Sequence, residues 1–309
     1  GAVAAATRSD SRRPALDSVN SCSARKRDSS IAQCTHLVVS SRPKDVGFSF
    51  RPPTSTLVCA SASLCPCGET LYHTPMSDTP RREGPAFGIV VAAGRSERMG
   101  GVDKIFATLM GRPLLAWPLA AFNRCDAIEG IVVVASPQSV GRVRDFCDEW
   151  RFAKVTAVVP GGEARQDSVR AGLDAAAAAT IVAIHDAARP LVTPDLIARG
   201  VALARATGAA LCAIPSRDTV KEVDGDPPVV RATPDRARMW LAQTPQAFDR
   251  ELLLEAHARA TSAATDDAAL VEASGHPVHV YEGAPWNFKI TTPEDLIIAE
   301  ALLRERFAT

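Results

Sequence analysis

Short apolar runs alternate with segments of helix length between residues 87 and 214, and this alternation restricts the fold more than any other feature. The runs are rich in β-branched residues and short enough for strands; they lie at 89–91, 131–135, 155–159, 181–185 and 209–214. Segments with a helical pattern separate them, at 114–122, 142–150, 167–178 and 196–207. This order predicts an α/β fold: a doubly wound, mainly parallel sheet of the Rossmann-like type, with helices on both faces.

The rhythm changes after Pro215, where two short apolar runs flank an Asp-Gly-Asp-Pro-Pro turn. Runs at 219–223 and 229–231 predict a β-hairpin, and we expect it to protrude from the domain as an arm covering about 215–239. Beyond the arm, the pattern predicts helices at 252–259 and 293–307, a helix capped by Thr265, and a last strand at 278–281.

The first 84 residues differ from the remainder in composition. They lack sustained periodicity, are rich in serine, and carry nine Lys/Arg against five Asp/Glu up to residue 75. We expect residues 1–84 to be a disordered extension and 85–309 to form the folded domain. Two readings of the extension stay open: a transit peptide, which implies a plastid, or an irrelevant stretch before a true start at Met76, which implies the cytoplasm.

The charge balance restricts the class of partner. Lys+Arg and Asp+Glu are both 35, so the chain has no basic excess of the kind that binds nucleic acid. No uninterrupted apolar run approaches the roughly 18 residues that span a bilayer. We therefore expect neither a nucleic-acid partner nor a membrane partner.

A small, positive loop follows the first predicted strand. Ala92, Ala93 and Gly94 have almost no side chain, so a ligand can approach the backbone closely. Arg98 and Lys104 then add positive charge, which suits a polyphosphate at the carboxyl edge of a parallel sheet. An ordinary strand–turn–helix connection with solvated basic residues remains the alternative.

Two further strand ends carry groups that could bind a nucleotide. After the third strand, a Gly-Gly turn leads to Gly162, Glu163 and Ser168, whose backbone and hydroxyl groups could read a nucleobase edge. After the fourth, Asp186 could accept from a ribose hydroxyl or hold a metal ion, and Arg189 could bind a phosphate. The alternative is an internal Asp–Arg ion pair beside a satisfied core histidine, His185.

These segments together resemble one family, the methylerythritol phosphate cytidylyltransferases of non-mevalonate isoprenoid synthesis. The resemblance covers about 87–306 and lies in motifs whose order and spacing match: Ala92-Ala-Gly-x-x-x-Arg98-Met, Lys104, Gly161-Gly-x-x-Arg165-x-Asp-Ser-Val169, His185-Asp-Ala-Ala-Arg-Pro190, Arg217-Asp-Thr219, Thr244-Pro-Gln246, Thr265-Asp266 and Lys289-x-Thr-x-Pro-Glu-Asp295. It implies a nucleotidyltransferase that carries CMP from CTP to 2-C-methyl-D-erythritol 4-phosphate with the help of Mg²⁺.

The resemblance also implies a role for each matching residue. The cytidine would be held by Ala92, Ala93, Gly94, Gly162, Glu163 and Ser168, and the triphosphate by Arg98 and Lys104. Asp186 would contact sugar hydroxyls, while Arg189, Thr244 and Lys289 would surround the methylerythritol phosphate. Catalysis would depend on Arg98, Lys104 and Lys289. Family members are homodimers, so Thr219 and Arg236 of the arm would act in the neighbour's site.

Two other functions fit the same motifs. A ribitol-5-phosphate cytidylyltransferase would share the CTP site and differ in the polyol pocket. A non-catalytic nucleotide-binding regulator would need no catalytic cations, yet Arg98 and Lys104 are both present.

Overall fold

The structure, a computed structural model, describes residues 82–94 and 104–307. All of these belong to the compact unit Tyr72–Thr309. The predicted disorder of 1–84 lies outside the described residues except at its last three positions. Arg98, a predicted catalytic residue, also lies outside them.

Eleven strands and seven α-helices make up the described part of the chain. The strands are β1 (Ala86–Ala92), β2 (Thr108–Leu109), β3 (Arg112–Pro113), β4 (Gly130–Ala135), β5 (Val155–Pro160), β6 (Ile181–Asp186), β7 (Ala209–Pro215), β8 (Glu222–Asp224), β9 (Val229–Ala232), β10 (Trp240–Asp249) and β11 (His279–Glu282). The helices are α1 (Ala116–Arg124), α2 (Val140–Glu149), α3 (Arg165–Ala175), α4 (Pro194–Thr207), α5 (Arg250–Arg259), α6 (Asp267–Ala273) and α7 (Pro293–Phe307).

Seven strands form the main sheet, in the order β11-β7-β10-β6-β1-β4-β5. Strand β10 pairs antiparallel with β6 and β7, and the other pairings are parallel. Residues of α1, α2 and α4 pack in one apolar cluster with the sheet, and residues of α3, α5 and α6 pack in a second. The prediction of a doubly wound, mainly parallel α/β sheet is confirmed.

The central strands are the most deeply buried elements, because helices cover both of their faces. Every residue of β4 and of β6 is buried. Removing one Val, Ile or Leu side chain from water contributes about 1.5–3 kcal/mol, so these strands supply much of the stability of the core. The carboxyl ends of the parallel strands are thereby held on a rigid edge.

Strand β10 was not predicted, although it lies between β6 and β7 in the centre of the sheet. Its segment contains Pro245, a residue that is usually confined to edges and bulges because it cannot donate to the ladder. The pairing of β10 with β7 has a register shift between Ala242 and Gln246, and this shift leaves Pro245 outside the regular ladder. Residues 243–248 are buried.

One predicted helix cap is wrong in detail, and another stands directly before the helix that it was predicted to cap. Asp266, not Thr265, caps α6, since its carboxylate accepts from the backbone N–H of Ala269 at 3.0 Å. At the start of α7, the carboxylate of Asp295 accepts from the backbone N–H groups of Thr291 and Thr292. Helix α7 begins at Pro293, directly after Thr292, the predicted cap, and the carboxylate of Asp295 in its first turn binds the backbone before it.

The predicted arm contains a two-stranded antiparallel sheet. Strands β8 and β9 pair with each other, and every one of their residues is exposed. The exposed side chains include Val223, Val229 and Val230. A hairpin with apolar side chains in water fits a surface that another molecule covers.

Candidate active site

A cavity of about 830 Å³ opens at the carboxyl ends of β1, β4, β5 and β6. This is the edge at which parallel α/β sheets bind their ligands. Nine of the predicted site residues line it: Ala92, Ala93, Gly94, Lys104, Gly162, Glu163, Ser168, Asp186 and Lys289. Loops that are distant in sequence therefore meet at one site.

The loops after β1 and β5 touch each other at Gly161. A Cβ atom at this position would lie 2.5 Å from Cβ of Ala93 and 2.6 Å from Oγ of Ser168, distances too short for real contacts. Glycine is thus needed for the two loops to approach. At Gly94, by contrast, a Cβ atom would meet no atom of the described residues within 4 Å. As far as residues 82–94 and 104–307 are concerned, the space beside Gly94 is open to a ligand.

Asp186, the last residue of β6, lies between two cations. Its Oδ2 atom is 2.8 Å from Nζ of Lys289, and its Oδ1 atom is 3.4 Å from Nε of Arg165. Burial by itself would raise the pKa of this carboxyl, but the ammonium and the guanidinium outweigh burial and hold the pKa well below its usual value. Asp186 is therefore ionised at any working pH.

The residue before it, His185, is fully buried and hydrogen-bonded at both ring nitrogens. Nδ1 lies 3.0 Å from Oγ1 of Thr244, and Nε2 lies 3.1 Å from the carbonyl oxygen of Arg189. The hydroxyl of Thr244 also accepts from the backbone N–H of Asp186, so its proton is free to bond Nδ1, and Nε2 carries the ring proton. Burial lowers the pKa of His185 to about 4, and the ring is neutral. The sequence alternative of a satisfied core histidine describes it correctly.

Lys104 begins the 3-10 turn Lys104–Phe106, which a buried Ile105 anchors in the core. Its ammonium donates to the backbone carbonyl of Ile290, the residue after Lys289. Ile290 is held in turn by a 2.8 Å bond from its N–H to the carbonyl of Ala188. The two predicted catalytic lysines are thus brought to one wall of the cavity.

Four other predicted residues do not line the cavity. Arg189 donates to the backbone carbonyls of Asn287 (2.9 Å) and Ala242 (3.4 Å), so it ties strand β10 to the segment between β11 and α7. Asp186 makes its ion pairs with Lys289 and Arg165, not with Arg189. Thr244 lies beneath Asp186 and is buried, and the other two, Thr219 and Arg236, belong to the exposed segment around β8 and β9.

Sequence reasoning gave no role to Arg165, which lines the cavity and contacts Asp186. It also missed the loop after β4 and Thr291, which line the same cavity. The loop, Ser136–Pro137–Gln138, carries no charge or glycine signal. Arg165 could have been found, since it lies within one of the matched motifs.

The carboxyl edge of the doubly wound sheet brings glycine loops, two lysines and an ionised carboxylate together around one cavity. This arrangement is typical of a nucleotide-binding α/β enzyme. The family model described as "2-C-methyl-D-erythritol 4-phosphate cytidylyltransferase" matches residues 87–305. The chain belongs to this family, and it is a cytidylyltransferase of isoprenoid biosynthesis.

Individual relatives agree with the family match. A 2-C-methyl-D-erythritol 4-phosphate cytidylyltransferase of Dehalococcoides mccartyi is 45% identical over 217 residues, which cover 70% of this chain and 95% of the relative. One from Halalkalibacterium halodurans is 42% identical over 222 residues, covering 71% and 96%.

Solved structures show the same likeness. The 4-diphosphocytidyl-2C-methyl-D-erythritol synthase of Anaerococcus prevotii superposes with a TM-score of 0.64 at 30% identity, covering 72% of this chain and 96% of that one. The Thermus thermophilus cytidylyltransferase gives a TM-score of 0.57 at 36% identity, covering 70% and 98%.

Proposed function

We propose that the cavity transfers the cytidylyl group of CTP to the phosphate of 2-C-methyl-D-erythritol 4-phosphate and releases pyrophosphate. The observation that carries this proposal is the meeting of Lys104 and Lys289 with Asp186 in the cavity that the glycine loops line. The loops after β1 and β5 offer backbone groups and the hydroxyl of Ser168 to the cytidine. The lysines line the same cavity as these loops, and we assign them to the phosphates of the bound nucleotide.

The reaction needs electrostatic help more than a protein nucleophile. A phosphate oxygen of the polyol phosphate attacks the α-phosphorus of CTP in line, the bond to the β-phosphate oxygen breaks, and pyrophosphate leaves with the electron pair. Both reactants are anions, so positive side chains that bind the transition state more strongly than the reactants lower the barrier. We assign this role to Arg98, Lys104 and Lys289. Asp186 orients Lys289 and remains available to a sugar hydroxyl.

Magnesium fits this donor set as an ion held mainly by the nucleotide. Mg²⁺ binds substrate phosphates with one or two carboxylates and keeps several waters. Among the residues that line the cavity, Glu163 and Asp186 are the carboxylates, and in the described part of the chain there is no group of three ligating side chains. When bound, the ion would neutralise triphosphate charge, and Asp186 is the candidate protein ligand.

A pyrophosphate-release assay tests the proposal. The purified protein is given CTP with 2-C-methyl-D-erythritol 4-phosphate, with ribitol 5-phosphate, or with neither, and the nucleotide product is identified by phosphorus NMR. We expect release with the first acceptor alone. Release with ribitol 5-phosphate would reassign the acceptor, and binding of CTP without release under any condition would favour a regulator.

We also propose that the protein is a homodimer whose arm completes the neighbour's site. Apolar side chains are exposed on the hairpin and at the start of β10; they are Val223, Val229, Val230, Trp240 and Leu241. Thr219 and Arg236 lie in the same segment and away from the cavity of their own chain. A second copy is the partner that would cover the apolar surface and use these polar groups.

The cytoplasm is the proposed location, because the relatives described above are bacterial. In the described residues, every helix is too short or too polar to cross a bilayer. The N-terminal residue of the mature protein would test the alternative of a plastid transit peptide.

A further inference from the structure

Four side chains of alternating charge form a line from the cavity into the protein. Lys289 pairs with Asp186 at 2.8 Å, Asp186 faces Arg165 at 3.4 Å, and Arg165 pairs through Nη1 with Oδ2 of Asp267 at 2.8 Å. The first three line the cavity. Asp267 does not line the cavity, and its side chain is only 1% exposed. Within this line of four side chains, it contacts the site only through Arg165.

The pair between Arg165 and Asp267 is shielded from water on one side, since the Asp267 side chain is 1% exposed while that of Arg165 is 29% exposed. Burial by itself would lower the pKa of the guanidinium, but Asp267 and Asp186 outweigh burial and raise it above its usual value. A buried carboxylate without a partner is strongly destabilising. On its other side, Oδ1 of Asp267 lies 3.7 Å from Nε2 of His257, a longer separation than the 2.8 Å between Asp267 and Arg165. Asp267 therefore depends on Arg165, and it fixes where the guanidinium lies.

The backbone of Asp267 is itself fixed to the central sheet. Gln246 of β10 donates from Nε2 to Oδ2 of Asp266 at 2.8 Å, and its Oε1 accepts from the N–H of Ala268 at 3.1 Å. These two hydrogen bonds fix the residues on either side of Asp267, namely Asp266 and Ala268. Gln246 and Asp266, which both belong to the matched motifs, therefore help to set the position of the Asp267 carboxylate.

We propose that Asp267 is a positioning residue for the transfer reaction: it anchors Arg165 to the cavity wall, and through Arg165 it orients Asp186 and the ammonium of Lys289. This inference rests on the proposed function for its kinetic consequences. Without the anchor, the long side chain of Arg165 is free to turn into the open cavity. Asp186 then loses a fixed neighbour, and Lys289 is held by a less ordered carboxylate.

A double-mutant cycle tests this coupling. We expect Asp267→Asn to lower kcat about tenfold while the KM values change little, because the lost interaction orients the reacting groups without binding substrate. In an Arg165→Met background the same substitution should have almost no further effect on kcat. Multiplicative losses in the cycle would show that Asp267 acts independently of Arg165, and would overturn the proposal.

The matched control is Asp174→Asn, which removes an exposed carboxylate that pairs with Arg170 on the same helix as Arg165. Its effect on kcat should be negligible in both backgrounds. If Asp267→Asn does not fold, the double variant Arg165→Met/Asp267→Met takes its place, since it removes both buried charges. Recovery of folding with low kcat supports positioning, whereas recovery of wild-type kcat overturns it.

A measurement without substrate separates this inference from the proposed function. In ligand-free protein labelled with ¹⁵N, the Nε–H signal of Arg165, assigned by its loss in Arg165→Lys, should be ordered and slow to exchange. We expect this order to be lost in Asp267→Asn. An unchanged signal refutes the anchor even if the enzyme is active, and an ordered signal in a protein that makes no product refutes only the proposed function.

Discussion

The Nζ atom of Lys289 lies 2.8 Å from Oδ2 of Asp186, a contact between residues 103 positions apart. Asp186 ends a wholly buried strand, whereas 44% of the Lys289 side chain is exposed to the cavity. A rigid, ionised carboxylate thus holds a cation that remains accessible to substrate. Because the ammonium is partly solvated, its pairing contributes modestly to stability, and orientation is its main consequence.

The first prediction concerns acid stability. The pKa of Asp186 is well below its usual value in the folded protein, since Lys289 and Arg165 outweigh the effect of burial. In acid the unfolded chain binds this proton before the folded chain does. The stabilisation is therefore complete above the unfolded pKa of about 4 and is lost as the pH falls below it.

Asp186→Asn should accordingly flatten the decline in the free energy of unfolding between about pH 5 and pH 3. Urea denaturation at each pH measures the slope. Asp195→Asn is the matched control, because Asp195 is an exposed carboxylate paired with Arg199 on the surface of α4. An undiminished slope in Asp186→Asn would contradict the assigned ion pairs.

The second prediction concerns the protonation of His185. Its pKa is lowered by burial to about 4, so the unfolded chain, with a pKa of about 6.5, binds the proton first as pH falls. This contribution is complete above about pH 6.5 and is lost progressively toward pH 4, by up to roughly 3 kcal/mol. Nitrogen NMR should show a neutral ring with the proton on Nε2 at pH 6. A titration midpoint near 6.5 would refute the buried network with Thr244.

Much of the fold follows from local pattern, and most of the misses come from long-range contacts. The parallel strands were predictable because a strand covered on both faces must be apolar throughout. Strand β10 was not, since Pro245 interrupts it and only the register shift against β7 accommodates that residue. The pairing of Arg165 with Asp267 joins residues of α3 and α6, and no local pattern encodes it. The predicted role of Arg98 stays a prediction.

The third prediction uses two glycines of the cavity as a matched pair. Gly161→Ala places a methyl group 2.5 Å from Cβ of Ala93, so the loops after β1 and β5 must separate. We expect lower thermal stability and a KM for CTP raised about tenfold or more, because the proposed cytidine contacts are on these loops. Calorimetry and steady-state kinetics measure the two effects.

Gly94→Ala adds the same methyl group where no atom of the part of the chain that the structure describes lies within 4 Å. Its melting temperature should equal that of the wild type, and any rise in the KM for CTP then reports contact with the ligand itself. A loss of stability in Gly94→Ala, or none in Gly161→Ala, would show that the described loop geometry is wrong.

The last prediction addresses the dimer and the arm together. Lys104→Ala should lower turnover by a factor equivalent to about 3 kcal/mol, and Arg236→Ala should mainly weaken binding of the polyol phosphate. If Arg236 acts in the neighbour's site, a heterodimer of the two variants has one site with both residues intact. Random mixing makes half of the dimers heterodimers, so about one quarter of the wild-type sites return. Assays below the KM for the polyol phosphate, after co-expression, measure this recovery. An equal mixture no more active than the average of its parents would place Arg236 in its own chain's site, or in none.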